Sequence, residues 1–487
     1  MNLAKQAITS VLWSNTGRYF SFAISFSGQL VLARILVPEN FGVVAFAVAI
    51  LEVTAILTGW CFSMGIIQMP EEEGIRETAF WLTLGQAAIF LVSAAVISIG
   101  LNVYYPDPGM LPWVFLALSF GRAVSPIAAI YSAHMEKVLQ YGGLTLVTTV
   151  AGIVSMCLAI VLGTYGAGVW SLVARELISS VICLVGYRAI SGWRVRWRFD
   201  VPIGRRLMAF GNRMLLSRGL EAIFYKMDSL LVGALGGVGT LSYYSQPRYL
   251  VDLAHASISP ATGAIALPVY ASVQSDEYKL KRAYRIGNYF IIRLMVPVSL
   301  ILFLFPEDLV VFLFGDQWKP SAAALRWLAL YPVLVTFLEN SKILLYGIGR
   351  QGTTAWIRVL QIVIAAPLIW LGFDLFGLPG SALGFMAGVL SGLVAILFCT
   401  RRYSFEGLQE TLLVPLVAGF VSVLGVSLVR TTLFQATGPT HVLGLSILAI
   451  LLYAGILLLC EHKLILQHMK LINRTFKHVA PEAGQGR

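Results

Sequence analysis

The sequence has few charged residues and few cysteines, and both shortages limit what the protein can be. Only 12% of the 487 residues are charged, about half of the share typical of soluble domains, while 58% are apolar. This balance excludes a cytosolic enzyme, a disordered chain and a disulfide-rich scaffold. The cysteines stand in or beside apolar runs without CxxC spacing, which indicates reduced packing residues. They are Cys61, Cys157, Cys183, Cys399 and Cys460.

Motifs for nucleotide hydrolysis, metal binding and acyl transfer are also missing. The sequence has no GxxxxGK[ST], HExxH or GxSxG, and no paired Cys/His spacing. We therefore expect no enzyme activity, no metal and no bound cofactor.

Long apolar runs are what the sequence does contain. A helix needs about 20 apolar residues to cross a bilayer. Fourteen segments fit, which predicts an all-α integral membrane protein. Their spans are 7–31, 41–62, 79–103, 112–132, 144–163, 169–189, 207–235, 248–272, 287–305, 322–346, 355–373, 380–400, 412–430 and 442–460.

Lysine and arginine lie mostly in alternate loops, which predicts the orientation. With the N-terminus inside, the outer side carries only Arg34, Lys319 and Arg430. Both termini are then cytoplasmic, and the net charge of +11 reflects topology and anionic lipid contacts rather than nucleic acid. The acidic loop 71–77 departs from this pattern.

An internal repeat at an offset of 200 residues places Arg18 on Arg218 and Glu52 on Asp252. Two similar six-helix lobes around a central cavity would explain it. The predicted domains are an N-terminal lobe, a basic cytoplasmic linker, a C-terminal lobe, two extra transmembrane helices and a cytoplasmic tail. Their ranges are 1–190, 191–206, 207–400, 401–461 and 462–487.

Several cations fall inside the predicted spans, where each would cost about 2.5–3.5 kcal/mol facing lipid. Arg293, Arg326 and Arg358 lie near helix ends and are expected to snorkel. Others form polar stripes at helical spacing, which predicts that three helices line a wet space. The stripes are Ser14, Arg18, Ser21, Ser25 and Gln29; Arg218, Glu221, Tyr225 and Asp228; and Arg248, Asp252, His255 and Ser259.

Spacing also allows local ion pairs that only join helices. Arg218 with Glu221, Arg248 with Asp252, and Glu339 with Lys342 are three or four residues apart. Arg18 and Arg122 have no carboxylate within one turn, so we expect substrate or cavity roles for them.

Five segments resemble the polysaccharide transporter family of the multidrug/oligosaccharidyl-lipid/polysaccharide exporter superfamily, and within it the exopolysaccharide and O-antigen repeat-unit flippases of the colanic-acid type. The resemblance covers about residues 1–400. The segments are LARILVPENFG, SRGLEAIFYKMDSLLVGALGG, LSYYSQPRYL, LPVYASVQSDEYKLKRAYR and FLFGDQWKPSAAALRWLAL.

The resemblance implies a cargo, an undecaprenyl-diphosphate-linked oligosaccharide moved to the periplasmic face of the bacterial inner membrane by ion-coupled alternating access. It also implies membrane lipids and the polymerase and chain-length machinery as partners, and a proton or sodium gradient as the driving force. A guanidinium binds phosphate oxygens bidentately. The candidate substrate contacts are Arg18, Arg122, Arg218, Arg248 and Lys226. The candidate ion-coupling carboxylates are Asp228, Asp252, Glu52 and Glu339.

Three other functions remain open from the residues. An exporter of drugs or organic cations would need a cavity rich in carboxylates and aromatic rings. A flippase for the peptidoglycan lipid precursor would also use a cationic cavity. A membrane scaffold without transport would leave the interior arginines unexplained.

Overall fold

The computed structural model describes residues 3–104, 109–404, 409–432 and 444–461. Some side chains within these ranges, those of residues 3–16 and of Arg18 among them, lie outside the described part. The predicted tail, 462–487, lies outside it entirely. No strand occurs in the described ranges, which agrees with the predicted all-α fold.

The chain forms two compact units, residues 1–245 and 246–487. The predicted domain boundaries at 190, 206, 400 and 461 remain predictions. The first unit contains seven complete helices within its described residues and the beginning of an eighth. They are α1 (Leu3–Ile35), α2 (Pro38–Thr58), α3 (Phe62–Gln68), α4 (Ile75–Tyr104), α5 (Leu111–Lys137), α6 (Tyr141–Thr164) and α7 (Val169–Ser191).

Helix α8 (Val201–Ser272) is broken at Gly237, where φ is 74° and ψ is 174°. The sequence predicted two helices separated by a connection over 236–247. The structure needs only this glycine, because a residue without Cβ adopts positive φ at little cost. The first half of α8 packs within the first unit, where a Cβ on Gly233 would lie 2.5 Å from a ring carbon of Phe46.

The second unit contains the rest of α8 and the helices that follow it. They are α9 (Glu277–Leu304), α10 (Pro306–Phe314), a 3₁₀ turn (Asp316–Ser321), α11 (Ala322–Leu328), α12 (Tyr331–Gly347), α13 (Gln351–Phe376), α14 (Leu378–Cys399), α15 (Arg401–Ser404), a π turn (Gln409–Leu413), α16 (Val414–Thr432) and α17 (Gly444–Glu461).

Ten of the described helices are long and apolar enough to cross a membrane. The pair Asp316–Leu328 and Tyr331–Gly347, bent by 43°, would make eleven. The predicted spans overlap described helices, although 322–346 is divided between α11 and α12 and residues 442 and 443 lie outside the described part. The segments 7–31, 207–235 and 248–272 are not apolar enough over a sufficient length to count as membrane spans. Charged residues lower the hydropathy of both halves of α8, so the count of fourteen stays a prediction.

Helix order repeats between the two units. Helix α4 begins at Ile75 and α9 at Glu277, while α7 begins at Val169 and α14 at Leu378. Corresponding helices thus start about 200 residues apart, as the sequence repeat requires.

The last described helix is held to α9 by a buried ion pair. Arg293 Nε donates to Glu461 Oε2 at 2.9 Å and Arg293 Nη2 to Glu461 Oε1 at 2.5 Å, with side chains 10% and 6% exposed. Tyr289 adds a hydrogen bond to the same carboxylate at 3.0 Å. The expectation that Arg293 snorkels is wrong, because Glu461 neutralises it inside the protein.

Candidate functional site

A cavity of about 540 Å³ lies in the first unit between α2 and the first half of α8. We name it the arginine cavity. Its lining follows helical spacing, with residues at i, i+3, i+4 and i+7 on each helix, so one face of each helix forms a wall. These residues are Glu52, Ala55, Ile56 and Gly59 on α2 and Leu215, Arg218, Gly219 and Ala222 on α8, joined by Glu221.

Gly219 sets the distance between these two helices. A Cβ at this position would lie 2.8 Å from Cγ2 of Ile56, closer than real Cβ contacts come. The absence of a side chain therefore allows α8 to approach α2 at the point where Arg218 enters the cavity.

Arg218 is exposed and forms no ion pair with any residue that the structure describes. The local pair with Glu221 that its spacing allowed is therefore not formed. Glu221 lines the same cavity and has its own interactions. Among the described residues, the Arg218 guanidinium is thus a cation without a carboxylate partner in a concave space.

Arg122 forms an ion pair with Glu52, which lines this cavity. Its Nη2 lies 2.5 Å from Glu52 Oε1, and the side chains are 44% and 26% exposed. Arg122 lies on α5 and Glu52 on α2, so their partnership could not be read from spacing along one helix. The structure brings Glu52, Arg122 and Arg218 together, while the Arg18 side chain lies outside the described part.

Arg248, in the second unit, is held inside the protein. Its Nη1 donates to Asp252 Oδ1 at 2.7 Å, which confirms the predicted i,i+4 pair. Its guanidinium carbon lies 4.3 Å from the ring centre of Tyr331 and 4.7 Å from that of Phe385. Arg248 is only 5% exposed, whereas the side chain of Asp252 is 45% exposed. This cation is already paired and covered by aromatic rings.

A second charged cluster lies on α12 and α13. Lys342 Nζ is 2.7 Å from Glu339 Oε1, as the i,i+3 spacing predicted, and Arg358 Nη2 is 3.4 Å from the same oxygen. Both cations are almost fully buried, and Glu339 is 23% exposed. The expectation that Arg358 snorkels is wrong, since Glu339 and Gln361 bind it inside the protein. Arg326 is exposed, as expected.

His255 lies near Asp252 and Glu339 in the second unit. Its Nδ1 is 3.0 Å from Thr336 Oγ1, and this hydroxyl donates to the carbonyl of Pro332 at 2.6 Å. Since the threonine hydrogen is used there, Nδ1 of His255 is the donor in the contact.

Asp228 and Lys226 belong to the first unit. Asp228 is fully buried and accepts a hydrogen bond from Tyr244 at 3.1 Å. Lys226 is half-buried. Neither residue lines the arginine cavity. The polar stripe of α1 faces neighbouring helices where it is described: Gln29 accepts from Arg175 of α7 at 3.0 Å, and Ser21 contacts Thr149 of α6 at 3.2 Å.

The acidic loop 71–77 binds the basic linker. Arg198 contacts Glu73 at 2.5 Å, and Arg206 Nη1 donates to Glu72 at 2.9 Å. The hydrogen bond from Arg206 lowers the pKa of the Glu72 carboxyl below its ordinary value. Because these segments touch, they lie on the same side of the membrane, which agrees with the topology assigned to this loop despite its acidic residues.

Sequence reasoning missed several residues that the fold brings against the interior charges. Glu461 and Gln361 had not been singled out, and neither had Tyr331 or Phe385. Their partners come from other helices, so no spacing rule could find them. Within the described residues, no cluster of three or more His, Cys, Asp or Glu could hold a metal ion.

These features define a class: a multi-pass membrane protein of transporter type, with apolar helices around charged interior sites. The particular family follows from comparison. Residues 31–323 match the family described as polysaccharide biosynthesis protein, so the chain belongs to that family. The resemblance drawn from the sequence is confirmed.

Known relatives are similar over most of their length. The succinoglycan biosynthesis transport protein ExoT of Rhizobium meliloti is 23% identical over 74% of this chain and 73% of its own. The lipopolysaccharide biosynthesis protein WzxC of Escherichia coli is 21% identical over 79% of each. These similarities agree with the predicted localisation in the bacterial inner membrane.

Among solved structures, the lipid II flippase MurJ in its inward closed conformation has a similar fold. The TM-score is 0.77 at 12% identity, covering 93% of this chain and 100% of that one. This likeness concerns the fold. The family and its neighbours are transporters rather than enzymes.

Proposed function

We propose that this protein flips an undecaprenyl-diphosphate-linked oligosaccharide repeat unit from the cytoplasmic to the periplasmic face of the inner membrane, by ion-coupled alternating access. The proposal includes fourteen spans, two pseudo-symmetric lobes and both termini in the cytoplasm. The observation that carries it is Arg218, an arginine without an ion-pair partner among the described residues, in a cavity of a polysaccharide biosynthesis protein.

The diphosphate of such a carrier is the chemical group that this cavity suits. It bears about two negative charges, and guanidinium groups bind phosphate oxygens through paired hydrogen bonds. Arg218 is available for this contact, and Arg122 would become available once Glu52 releases it. We assign substrate contact first to these two arginines, with Arg18 and Lys226 as further candidates in the first unit.

Coupling to an ion gradient follows from the same pair. A proton on Glu52 removes its negative charge, so Arg122 loses its partner and the cavity gains net positive charge. The protonated cavity then attracts the diphosphate, and substrate release returns Glu52 to its ionised form. Proton and anion binding are thus linked within one cavity.

In the second unit, Asp252 and Glu339 are the carboxylates that would bind the coupling ion. Each is more exposed than the cations that it neutralises. Arg248 is then best placed as the internal counter-charge of Asp252, and it would meet substrate only after that pair opens. Asp228 is a less accessible candidate, because it is fully buried and bound to Tyr244.

The test is replacement of the chromosomal gene by variants in the native host. Arg218→Ala should abolish exported polymer and cause lipid-linked repeat units to accumulate on the cytoplasmic face. Arg213→Ala is the matched control, since Arg213 lies on the same helix, is exposed, does not line the cavity, and donates from Nε to the carbonyl of Ala209 on its own helix. Normal polymer export in the gene deletion itself would refute the proposed function.

A further inference from the structure

A second cavity in the first unit, of about 490 Å³, is lined by hydroxyl groups and one carboxylate. Helices α1, α5, α6 and α7 form it. We name it the hydroxyl cavity. Its polar residues are Ser21, Ser132, Glu136, Tyr141, Thr145, Thr148 and Tyr187.

Glu136 is half-buried at the end of α5, and its carboxylate forms no hydrogen bond or ion pair with the part of the chain that is described. The neighbouring cation, Lys137, does not form an ion pair with Glu136. Lys137 turns its ammonium group to the carbonyl oxygens of Ile66 and Met69, at 2.9 and 3.2 Å. The Glu136 carboxylate lines the cavity and accepts no hydrogen bond from any residue that the structure describes.

Two of the hydroxyl groups in the cavity wall donate their hydrogens to the backbone. Ser132 Oγ donates to the carbonyl of Ala129 at 3.2 Å, and Thr148 Oγ1 donates to the carbonyl of Leu144 at 3.0 Å. A hydroxyl that donates its hydrogen keeps only its lone pairs for a ligand. Together with Glu136, these groups make the cavity rich in hydrogen-bond acceptors.

A cavity rich in acceptors selects a ligand that offers many O–H donors and carries no negative charge. We infer that the hydroxyl cavity binds an uncharged sugar ring, through hydrogen bonds from sugar hydroxyls to Glu136 and the wall oxygens. Hydrogen bonds to a carboxylate are about twice as strong as neutral ones. The rings of Tyr141 and Tyr187 offer apolar faces beside polar tips, which suits the mixed surface of a sugar.

The same chemistry gives a specificity rule. A uronic acid would place its carboxylate against Glu136, and two adjacent negative charges repel each other in a partly desolvated site. A quaternary organic cation would be attracted by the charge of Glu136 but has no hydrogens for the wall oxygens. The site therefore discriminates among the sugars of the proposed cargo, and it rests on the proposed function for its biological substrate.

The experiment uses the purified full-length chain in nanodiscs and saturation-transfer NMR, which detects weak binding. The probes are methyl glucoside, methyl glucuronide and tetraphenylphosphonium. The variants are Glu136→Gln, which keeps the shape and removes the charge, and Glu176→Gln as the matched control. Glu176 is an exposed carboxylate on α7 that does not line the cavity.

We expect the native protein and Glu176→Gln to bind methyl glucoside and to reject methyl glucuronide. Glu136→Gln should bind the glucoside about fivefold more weakly and lose the discrimination between the two. An unchanged melting temperature of Glu136→Gln shows that the variant is folded. Absence of glucoside binding by the native protein, equal binding by Glu136→Gln, or preference for tetraphenylphosphonium would each overturn the sugar site.

These results separate the sugar site from the proposed function. If Arg218→Ala stops polymer export in cells while Glu136→Gln binds sugars normally, only the sugar site is wrong. If the gene deletion exports normal polymer, the proposed function is wrong whatever the NMR result shows.

Discussion

Glu52 and Arg122 are 70 residues apart in the sequence and form an ion pair between α2 and α5. Glu52 also lines the arginine cavity, so one carboxylate both neutralises Arg122 and faces the space that Arg218 enters. The charge of the cavity is therefore set by two carboxylates, Glu52 and Glu221, and by the Arg218 guanidinium.

The first prediction concerns the pH dependence of transport. Glu52→Gln leaves Arg122 without its partner at every pH, so uptake by proteoliposomes should vary less with pH than native uptake does. Stability should change by less than about 1 kcal/mol, because Arg122 is nearly half exposed. Glu176→Gln should keep the native profile. A native pH profile in Glu52→Gln would show that the pair of Glu52 and Arg122 does not couple proton binding to diphosphate binding.

The second prediction concerns the buried pair of Arg293 and Glu461. Glu461→Gln leaves an uncompensated charge inside the second unit and should cost about 3–5 kcal/mol. Thermal unfolding in detergent measures the effect as a lower midpoint. Glu307→Gln is the control, because its pair with Lys319 is exposed, with side chains 55% and 63% accessible. Equal midpoints for the two variants would contradict the buried geometry.

The third prediction concerns the contact between the acidic loop and the basic linker. The pKa of Glu72 is lowered by Arg206, so the folded state favours the ionised carboxylate. Its contribution is present above the ordinary pKa of glutamate, about 4.3, and is lost as the pH falls below it. Hydrogen exchange of residues 193–200, corrected for intrinsic rates, should increase on acidification. Glu72→Gln should show that faster exchange already at neutral pH. Exchange that is independent of both changes would contradict the prediction.

The fourth prediction concerns the packing of α13 against α14. A Cβ on Gly384 would lie 2.4 Å from the carbonyl carbon of Leu368, which is backbone and cannot move aside. Gly384→Ala should therefore lower the unfolding midpoint of the protein. Gly352→Ala has open space around it and should raise the midpoint slightly, since alanine favours helix by roughly 0.5–1 kcal/mol. The opposite order of the two midpoints would show that the helices are not in contact there.

Apolar run length placed the ten helices that are long and apolar enough to cross a membrane, because a membrane span has a length set by the bilayer. The short helices α3 and α10 were not predicted. The sequence predicted a connection over 236–247, whereas the structure has a break at Gly237 and continues as helix directly after it. Local ion pairs, Arg248 with Asp252 and Glu339 with Lys342, were readable from i,i+4 and i,i+3 spacing.

Ion-pair partners that lie on different helices could not be predicted from the sequence. Arg122, expected to lack a carboxylate, has Glu52, and Arg293, expected to snorkel, has Glu461. Spacing along one helix says which residues share a face, but which helix that face meets depends on the tertiary fold. Glu136 escaped notice because an isolated carboxylate near a helix end has no pattern in the sequence.

Arg218 is the residue that we propose binds the diphosphate of a lipid carrier. Native mass spectrometry of the purified protein with undecaprenyl diphosphate, and with undecaprenyl monophosphate for comparison, tests this contact. We expect the native protein and Arg213→Ala to retain the diphosphate lipid in preference to the monophosphate, and Arg218→Ala to bind it at least about tenfold more weakly. Equal retention of the diphosphate lipid by Arg218→Ala and the native protein would contradict this contact.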